Sequence, residues 1–410
     1  MFRGLQTIVV VMVLTTTGVA QDPAPAPPTL EILEQQVREL QQQVKALQSR
    51  ADKDSPPPGV SPVTEPVAAV EAPLKEDHGI HIRGFGEANY KALDQRKPEL
   101  GAGGFVPGSA ANFYSGNFDL LLTAAISDKA RVLAEINFEE TDAQTFEVNV
   151  ERLLLSYGFN DHLRVGVGRY QTSIGYYNTV YHNGAWPQTT ADRPLIMEFP
   201  DHGGILPVQA IGASFQGTLP SGKLNLNYVV EYGSSDTMRN HVDGSPGLDD
   251  ENNGNQVNVG LFLRPDWVPG LQVGGSAYHD EISDDRNLSA RYGQTILNGH
   301  VTYSAHGVEF LNEGILVRHA EEMGSAVFNM PGFYTQISKQ FGHIRPFFRY
   351  QYVNTNPRSA LHDVLLRYGP SFGARYDFDS NIALKLQFDH TVRKALPDLN
   401  GIQAQLAFTF

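Results

Sequence analysis

The stretch 401–410 reads GIQAQLAFTF and decides the fold class of this sequence. Apolar residues alternate along it with small or polar ones, a period of two that is typical of a β-strand with one apolar face. The apolar face consists of Ile402, Ala404, Leu406, Phe408 and Phe410. An apolar strand with an unpaired edge recruits other chains and aggregates. In a membrane barrel that edge is paired and an aromatic end lies in the interfacial girdle, so we expect this strand to close such a barrel.

Fifteen further alternating segments precede this strand, the first of them starting near residue 79. The links after even-numbered segments are short, such as SDK and NDH, and those after odd-numbered segments are long, up to the 36 residues of 171–206. Segments at 270–279 and 292–304, for instance, leave 280–291 as one of the long links. Short turns at one end and long loops at the other are typical of outer-membrane barrels. We therefore predict an all-β fold for residues 79–410, a 16-stranded antiparallel transmembrane β-barrel.

Three shorter regions precede the predicted barrel. Residues 1–20 combine a single charge at Arg3 with an apolar run and small residues, which indicates a secretory signal peptide. The apolar run is far shorter than the ~20 residues of a transmembrane helix. Residues 21–51 contain a heptad seam, which predicts a short α-helical coiled coil that self-associates. The seam consists of Leu30, Leu33, Val37, Leu40, Val44 and Leu47. Residues 52–78 are rich in proline and predict an extended linker.

The composition excludes several classes of function. The formal net charge of -14 argues against a nucleic-acid partner. With no cysteine in the chain, disulfides and thiolate metal sites are excluded. A hydrophobic content of 41% is too low for a helical membrane protein. It suits a membrane barrel, in which only alternate residues meet lipid.

Strand parity assigns seven basic and six acidic side chains to the lumen of the barrel. They are Arg83, Arg131, Arg264, Arg345, Arg349, Arg375, Lys385, Glu87, Asp119, Glu135, Glu231, Asp377 and Asp389. Because rings of side-chain charge set ion preference in pores, this near balance predicts weak selectivity, leaning to anions if the arginines cluster at a constriction. Alternatively, these charges pair across neighbouring strands and only stabilise the wall. Arg152 and Arg169 lie where the parity is ambiguous and are not assigned.

The order of signal peptide, Gln-rich coiled coil, Pro-rich linker, sixteen strands and terminal Phe410 resembles trimeric outer-membrane porins. It is most similar to the phosphate-selective porin O/P superfamily, some members of which have an N-terminal periplasmic coiled coil. The stretch LRVGVGRYQTSIGYY at 163–177 looks like that family's strand leading into a long third loop. The resemblance implies a homotrimer with one pore per subunit and a third loop folded inward as the constriction. It also implies that Phe410 is the terminal signal read by the barrel assembly machinery.

By this resemblance, residues 171–206 form the constriction loop, and an external lid or a trimer latch is the alternative role. The candidate loop residues are Asp192, Arg193, Glu198, Asp201 and His202. The phosphate-selective members line their pores with many lysines, whereas the predicted strands of this chain place few lysines inward. Phosphate selectivity is therefore not expected.

The sequence offers no convincing site for catalysis, a metal or a cofactor. Its Ser, His and Asp residues are scattered, without a recognisable pair of nucleophile and base. The run DGSPGLDDENNGN has the spacing of a calcium loop at Asp249, Glu251 and Asn253, but Gly260 occupies the position of the closing glutamate. We therefore predict that the protein is not an enzyme and holds neither a metal nor a cofactor.

Together these observations predict an outer-membrane porin of a Gram-negative-type bacterium, surrounded by outer-membrane lipid and lipopolysaccharide, with its coiled coil in the periplasm. The channel would be water-filled and would pass small hydrophilic solutes by diffusion, with a weak anion preference. The alternative is a structural outer-membrane protein whose coiled coil tethers the barrel to the cell wall or to partner proteins. The surface of the helix is mainly Gln, without an apolar binding motif, which favours the channel.

Overall fold

The computed structural model describes residues 79–94, 111–140, 146–181, 185–199, 204–235, 255–284, 287–361, 364–394 and 396–410. The predicted signal peptide (1–20), the coiled coil with its seam (21–51) and the linker (52–78) lie outside these residues. The acidic run around Asp249 lies outside them as well.

The described chain forms a single antiparallel sheet of 17 strands. Their bounds are β1 (Ile80–Leu93), β2 (Ala111–Tyr114), β3 (Asn117–Ala125), β4 (Ala130–Glu140), β5 (Phe146–Asn160), β6 (Leu163–Gln171), β7 (Gln209–Thr218), β8 (Leu226–Ser235), β9 (Gln256–Leu263), β10 (Leu271–Asp284), β11 (Asn287–Ala305), β12 (Val308–Glu321), β13 (Val327–Lys339), β14 (Ile344–Asn354), β15 (Leu366–Asp377), β16 (Ile382–Arg393) and β17 (Leu399–Thr409). Both β2 and β3 pair with β1, and only Ser115 and Gly116 separate them. They occupy one position in the wall, so the barrel is 16-stranded as predicted.

The sheet closes where β17 pairs with β1, from Phe85 opposite Thr409 to Leu93 opposite Gly401. Two glycines of β1 make room for aromatic rings of the closing strand. A Cβ at Gly84 would lie 2.2 Å from the ring of Phe410. Closure pairs the backbone of β17 on both edges, which removes the exposed edge that its sequence would otherwise present.

The two faces of the wall differ as the alternation in the sequence predicts. Along β14, Ile344 and Phe348 are 48% and 45% exposed, whereas Arg345 and Arg349 are 5% and 1% exposed. Apolar side chains thus lie on the outer face and charged ones on the inner face. Such a wall suits lipid outside and polar groups inside.

The predicted long links after odd-numbered segments are wrong at three hairpins, because only five residues separate β4 from β5 and β12 from β13, and only two separate β10 from β11. Instead of a long link at 280–291, β10 continues to Asp284 and β11 begins at Asn287, with Glu281 opposite Gly293 and Ser283 opposite Arg291. The polar residues of this stretch occupy an extended, paired hairpin. The polar composition of this stretch therefore led us to predict a loop where the chain forms paired strands.

The largest cluster of buried apolar side chains lies inside the barrel, between the segment that follows β6 and the inner face of β10–β14. The segment contributes Ile174, Tyr177, Ile196 and Met197, which are all at most 1% exposed. Within the described residues, no helix has the length and apolar character needed to cross a membrane.

Candidate functional site

Residues 172–208 connect β6 to β7, and we call them the inward segment. Their described parts, 172–181, 185–199 and 204–208, run across the inside of the barrel. Its described parts contain a short helix, α1 (Tyr176–Val180), and a 3₁₀ turn at Leu195–Met197. Polar groups of the segment bond to inner-face side chains of β8, β12, β14, β15, β16, β17 and β1. Because these strands lie on distant parts of the ring, the segment spans the lumen.

Two inner-face carboxylates hold the beginning of the inward segment through its backbone. Glu231 of β8 accepts hydrogen bonds from the Ser173 N–H at 3.0 Å and the Ser173 hydroxyl at 2.6 Å. Glu313 of β12 accepts from the N–H groups of Tyr176 and Tyr177, at 2.6 and 2.8 Å. The first N–H groups of a helix have no partner within the helix, and Glu313 provides one.

A third carboxylate, Glu309 of β12, holds the next part of the inward segment. It accepts hydrogen bonds from the Tyr181 hydroxyl at 3.0 Å and the Thr189 hydroxyl at 2.9 Å. Burial, together with the nearby Glu309 carboxylate, raises the pKa of Tyr181 well above its usual value. The Tyr181 hydroxyl therefore stays protonated and remains a donor.

Cationic side chains occupy the opposite part of the wall. Arg345, Arg375 and Lys385 lie directly opposite one another on β14, β15 and β16, which forms a row of three positive charges. Arg375 also forms an ion pair with Asp377 at 2.7 Å, and Arg345 lies 3.7 Å from a carboxylate oxygen of Glu309. The row is therefore only partly neutralised by side chains of the wall.

This cationic row holds the inward segment through backbone carbonyls. Arg375 donates to the carbonyl oxygens of Trp186 and Gln188, at 2.6 and 3.0 Å. Lys385 donates to those of Ala185 and Thr190, at 2.5 and 3.1 Å. Carboxylates on one side thus bind N–H and hydroxyl groups of the segment, and cations on the other side bind its C=O groups.

Two further cations bind the segment at Asp192. Arg349 of β14 donates to the Asp192 carbonyl oxygen at 2.8 Å and to the Thr190 hydroxyl at 3.2 Å. Lys91 of β1 forms an ion pair with the Asp192 carboxylate at 3.2 Å. Asp192 is thereby fixed next to the seam between β1 and β17.

Arg193 is buried within the segment itself. Its guanidinium lies over the rings of Tyr177 and Phe199, at 5.3 and 4.4 Å, and donates to the Met197 carbonyl oxygen at 2.6 Å. Burial lowers the pKa of Arg193, and the neighbouring Tyr177 and Glu198 oppose that shift. Arg193 therefore shapes the fold of the segment rather than projecting freely into the lumen.

A cavity of about 180 Å³ remains between α1 and the inner faces of β4 to β11. Its lining combines apolar residues with Arg152, Glu231, Arg264 and His300. Arg152 forms an ion pair with Glu135 at 2.6 Å. The inward segment thus fills one side of the lumen and leaves space on the other.

The structure places most of the sequence-predicted lumenal residues on the inner face. Buried there are Asp119, Glu135, Glu231, Arg345, Arg349, Arg375, Asp377 and Lys385. Glu87, Arg131, Arg264 and Asp389 are half-buried, and Arg83 is exposed near the start of β1. Some of these residues form ion pairs within the wall, as the alternative interpretation predicted, but several are bonded to the inward segment instead.

Of the predicted loop residues, Asp192, Arg193 and Glu198 are all within the inward segment, and the last two are buried. Asp201 and His202 lie outside the described residues. Phe410 is 62% exposed, and its ring stacks on Phe118 with centroids 6.3 Å apart.

Sequence reasoning missed three charged residues that the geometry brings into the site, and it left a fourth, Arg152, unassigned. Lys91 lies just beyond the predicted end of the first strand, but shares the parity of Glu87. Glu309 and Glu313 share their face with Leu311, so that face did not read as polar. Arg152 lies opposite Glu135, directly after a β-bulge in β5. The bulge reverses which residues of β5 face inward, so Arg152 points to the lumen although the parity before the bulge does not predict it.

No family model matches the chain, and no curated relative does either. The barrel is similar to solved outer-membrane structures. For OmpT of Vibrio cholerae in its trimer form the TM-score is 0.55 at 10% identity, over 81% of this chain and 99% of the other. For the anion-selective porin from Comamonas acidovorans the TM-score is 0.53 at 12% identity, over 81% of this chain and 99% of the other. For the outer membrane channel DcaP of Acinetobacter baumannii the TM-score is 0.52 at 8% identity, over 81% of this chain and 97% of the other. The fold is therefore of the porin type.

Proposed function

We propose that this protein is an outer-membrane porin, a water-filled diffusion channel for small hydrophilic solutes. The observation that carries the proposal is the closed 16-stranded wall with apolar side chains outside and charged side chains inside. A polar inner wall of this width is stable only if water fills the lumen that remains. The likeness to outer-membrane porins and channels supports the same function.

The inward segment is the proposed constriction. It crosses the lumen, and buried charges fix it on both sides. These anchors favour a constriction over an external lid or a trimer latch. We place the path of the solute in the space beside α1, which the cavity of about 180 Å³ marks.

A weak anion preference is part of the proposal. The row Arg345, Arg375 and Lys385 places positive charge along one wall. Glu231, Glu309 and Glu313 place negative charge on the facing strands. Because both signs line the lumen and the segment bonds to both, the net field on a passing ion is small.

The proposed assembly is a homotrimer in outer-membrane lipid and lipopolysaccharide, inserted by the barrel assembly machinery through a terminal signal at Phe410. A solved neighbour is described in a trimer form, which supports this state. The resemblance to the phosphate-selective porin O/P superfamily belongs here too, with residues 1–20 as a signal peptide and 21–51 as a periplasmic coiled coil.

Planar-bilayer recording of the purified full-length protein tests the channel. In a KCl gradient we expect stepwise conductance and a reversal potential that deviates slightly toward that of chloride. Correctly folded protein that inserts but gives no conductance would refute the proposal.

A further inference from the structure

The cavity beside α1 contains one cation that the wall does not neutralise. Arg264 directly follows β9, and its guanidinium lies 4.9 Å above the ring of Phe262. Its Nε donates to the Gln272 side-chain oxygen at 2.8 Å. Within the described chain, its two terminal nitrogens make no hydrogen bond and no carboxylate pairs with it. An anion could therefore bind both of these nitrogens in bidentate fashion.

The neighbours of Arg264 fix its orientation without adding charge. Since the oxygen of Gln272 accepts from Arg264, its NH₂ group donates to Nε2 of His300, at 3.0 Å. That nitrogen of His300 must then be unprotonated, so the imidazole is neutral. The ring of Tyr176 lies 5.8 Å from that of His300 and continues the aromatic lining.

The other charges around this cavity already have partners. Arg152 pairs with Glu135 at 2.6 Å. Glu231 accepts hydrogen bonds from Ser173 and from the side chain of Asn258 at 2.8 Å. Arg264 is therefore the charge available to a solute.

The size and lining of the cavity indicate what kind of molecule would carry the anionic group that binds Arg264. Its volume of about 180 Å³ is comparable to the engineered cavity of roughly 150 Å³ that binds benzene. Leu154, Val180, Val229 and Phe262 contribute apolar surface. The space thus fits one aromatic ring with a charged group at the end that faces Arg264.

We propose that this cavity is a binding site for small aromatic monocarboxylates of the benzoate class, with Arg264 as the carboxylate anchor. The inference rests on the proposed channel, since solutes reach the cavity through the lumen. The channel would then concentrate benzoate-class anions and pass them in preference to acetate-sized anions.

Bilayer recording with added sodium benzoate tests the site. We expect benzoate to block the current in a concentration-dependent manner. Benzamide, which has the same ring without the charge, and acetate, which has the charge without the ring, should need at least tenfold higher concentrations. Arg264→Gln should weaken the benzoate block about tenfold, as expected for the loss of charge-assisted bonds. Arg358→Gln, which removes an exposed charge elsewhere in the barrel, is the matched control.

Equal block by benzoate and benzamide in the unmodified protein would overturn the inference, and so would an unchanged affinity in Arg264→Gln. Calorimetric titration of the detergent-solubilised protein with benzoate separates the two proposals. Conductance without benzoate binding refutes the site alone. Binding without conductance refutes the channel and leaves a ligand site in a closed barrel.

Discussion

Glu313 offers the sharpest test of how the inward segment is held. Its carboxylate is fully buried and accepts three hydrogen bonds, from the N–H groups of Tyr176 and Tyr177 and from the Tyr334 hydroxyl. In Glu313→Gln one acceptor oxygen becomes an NH₂ group that faces a donor. Losing that bond costs about 2 kcal/mol, and removing the charge from the other bond to α1 costs about 1 kcal/mol. The bond from Tyr334 of β13 does not count here, because it joins two strands of the wall whether α1 is docked or not.

The sum of about 3 kcal/mol corresponds to a change of roughly two orders of magnitude in the equilibrium between docked and undocked α1. The other anchors, at Arg375 and Lys385, remain, so the opening stays local. We therefore expect amide hydrogen exchange of the peptide covering 173–181 to accelerate by up to this factor, while the strands keep their protection.

Hydrogen exchange with mass-spectrometric detection measures this effect directly. Glu322→Gln is the matched control, because it makes the same chemical change at an exposed position after β12. If exchange at 173–181 is the same in both variants, Glu313 does not hold the segment and the reasoning fails. In bilayers, the Glu313→Gln channel should also show increased open-channel noise.

Two further predictions concern the other anchors and the N-terminal region. Lys385→Met leaves the carbonyls of Ala185 and Thr190 buried without their donor, so we expect faster cleavage of the inward segment by subtilisin. Lys394→Met, at an exposed position just after the same strand, should behave like the unmodified protein. Equal cleavage rates in both variants would contradict the role of Lys385. Deletion of residues 30–49 should lower the temperature at which the proposed trimer dissociates on gels without changing conductance, and a loss of conductance would instead mean that this region acts on the pore.

The barrel could be predicted from the sequence because its signal repeats in every strand. Alternation with a period of two, as in Ile344 to Tyr352, needs no knowledge of the neighbouring strands. The exceptions are local. A bulge opposite Glu135 shifts the parity of β5 by one residue, and nothing in the run VNVERLLLSY marks where it occurs.

The site was less predictable because its inner face is not uniformly polar. In β12, Leu311 and Ile315 face inward beside Glu309 and Glu313, since they pack against the inward segment. Apolar residues on both faces of a barrel strand were the available signal that something fills the lumen there. Which backbone group each charge binds depends on contacts more than 100 residues apart in the chain, and these have no local signature.

The anchoring of the inward segment has a consequence for engineering. Glu313, Arg375 and Lys385 hold main-chain atoms, which every amino acid other than proline supplies in full. A half-buried side chain of the segment that lines the cavity, such as Thr179, can therefore be exchanged while the scaffold that positions it is retained. A library of variants that differ only in such side chains could therefore be built without altering the strands of the wall.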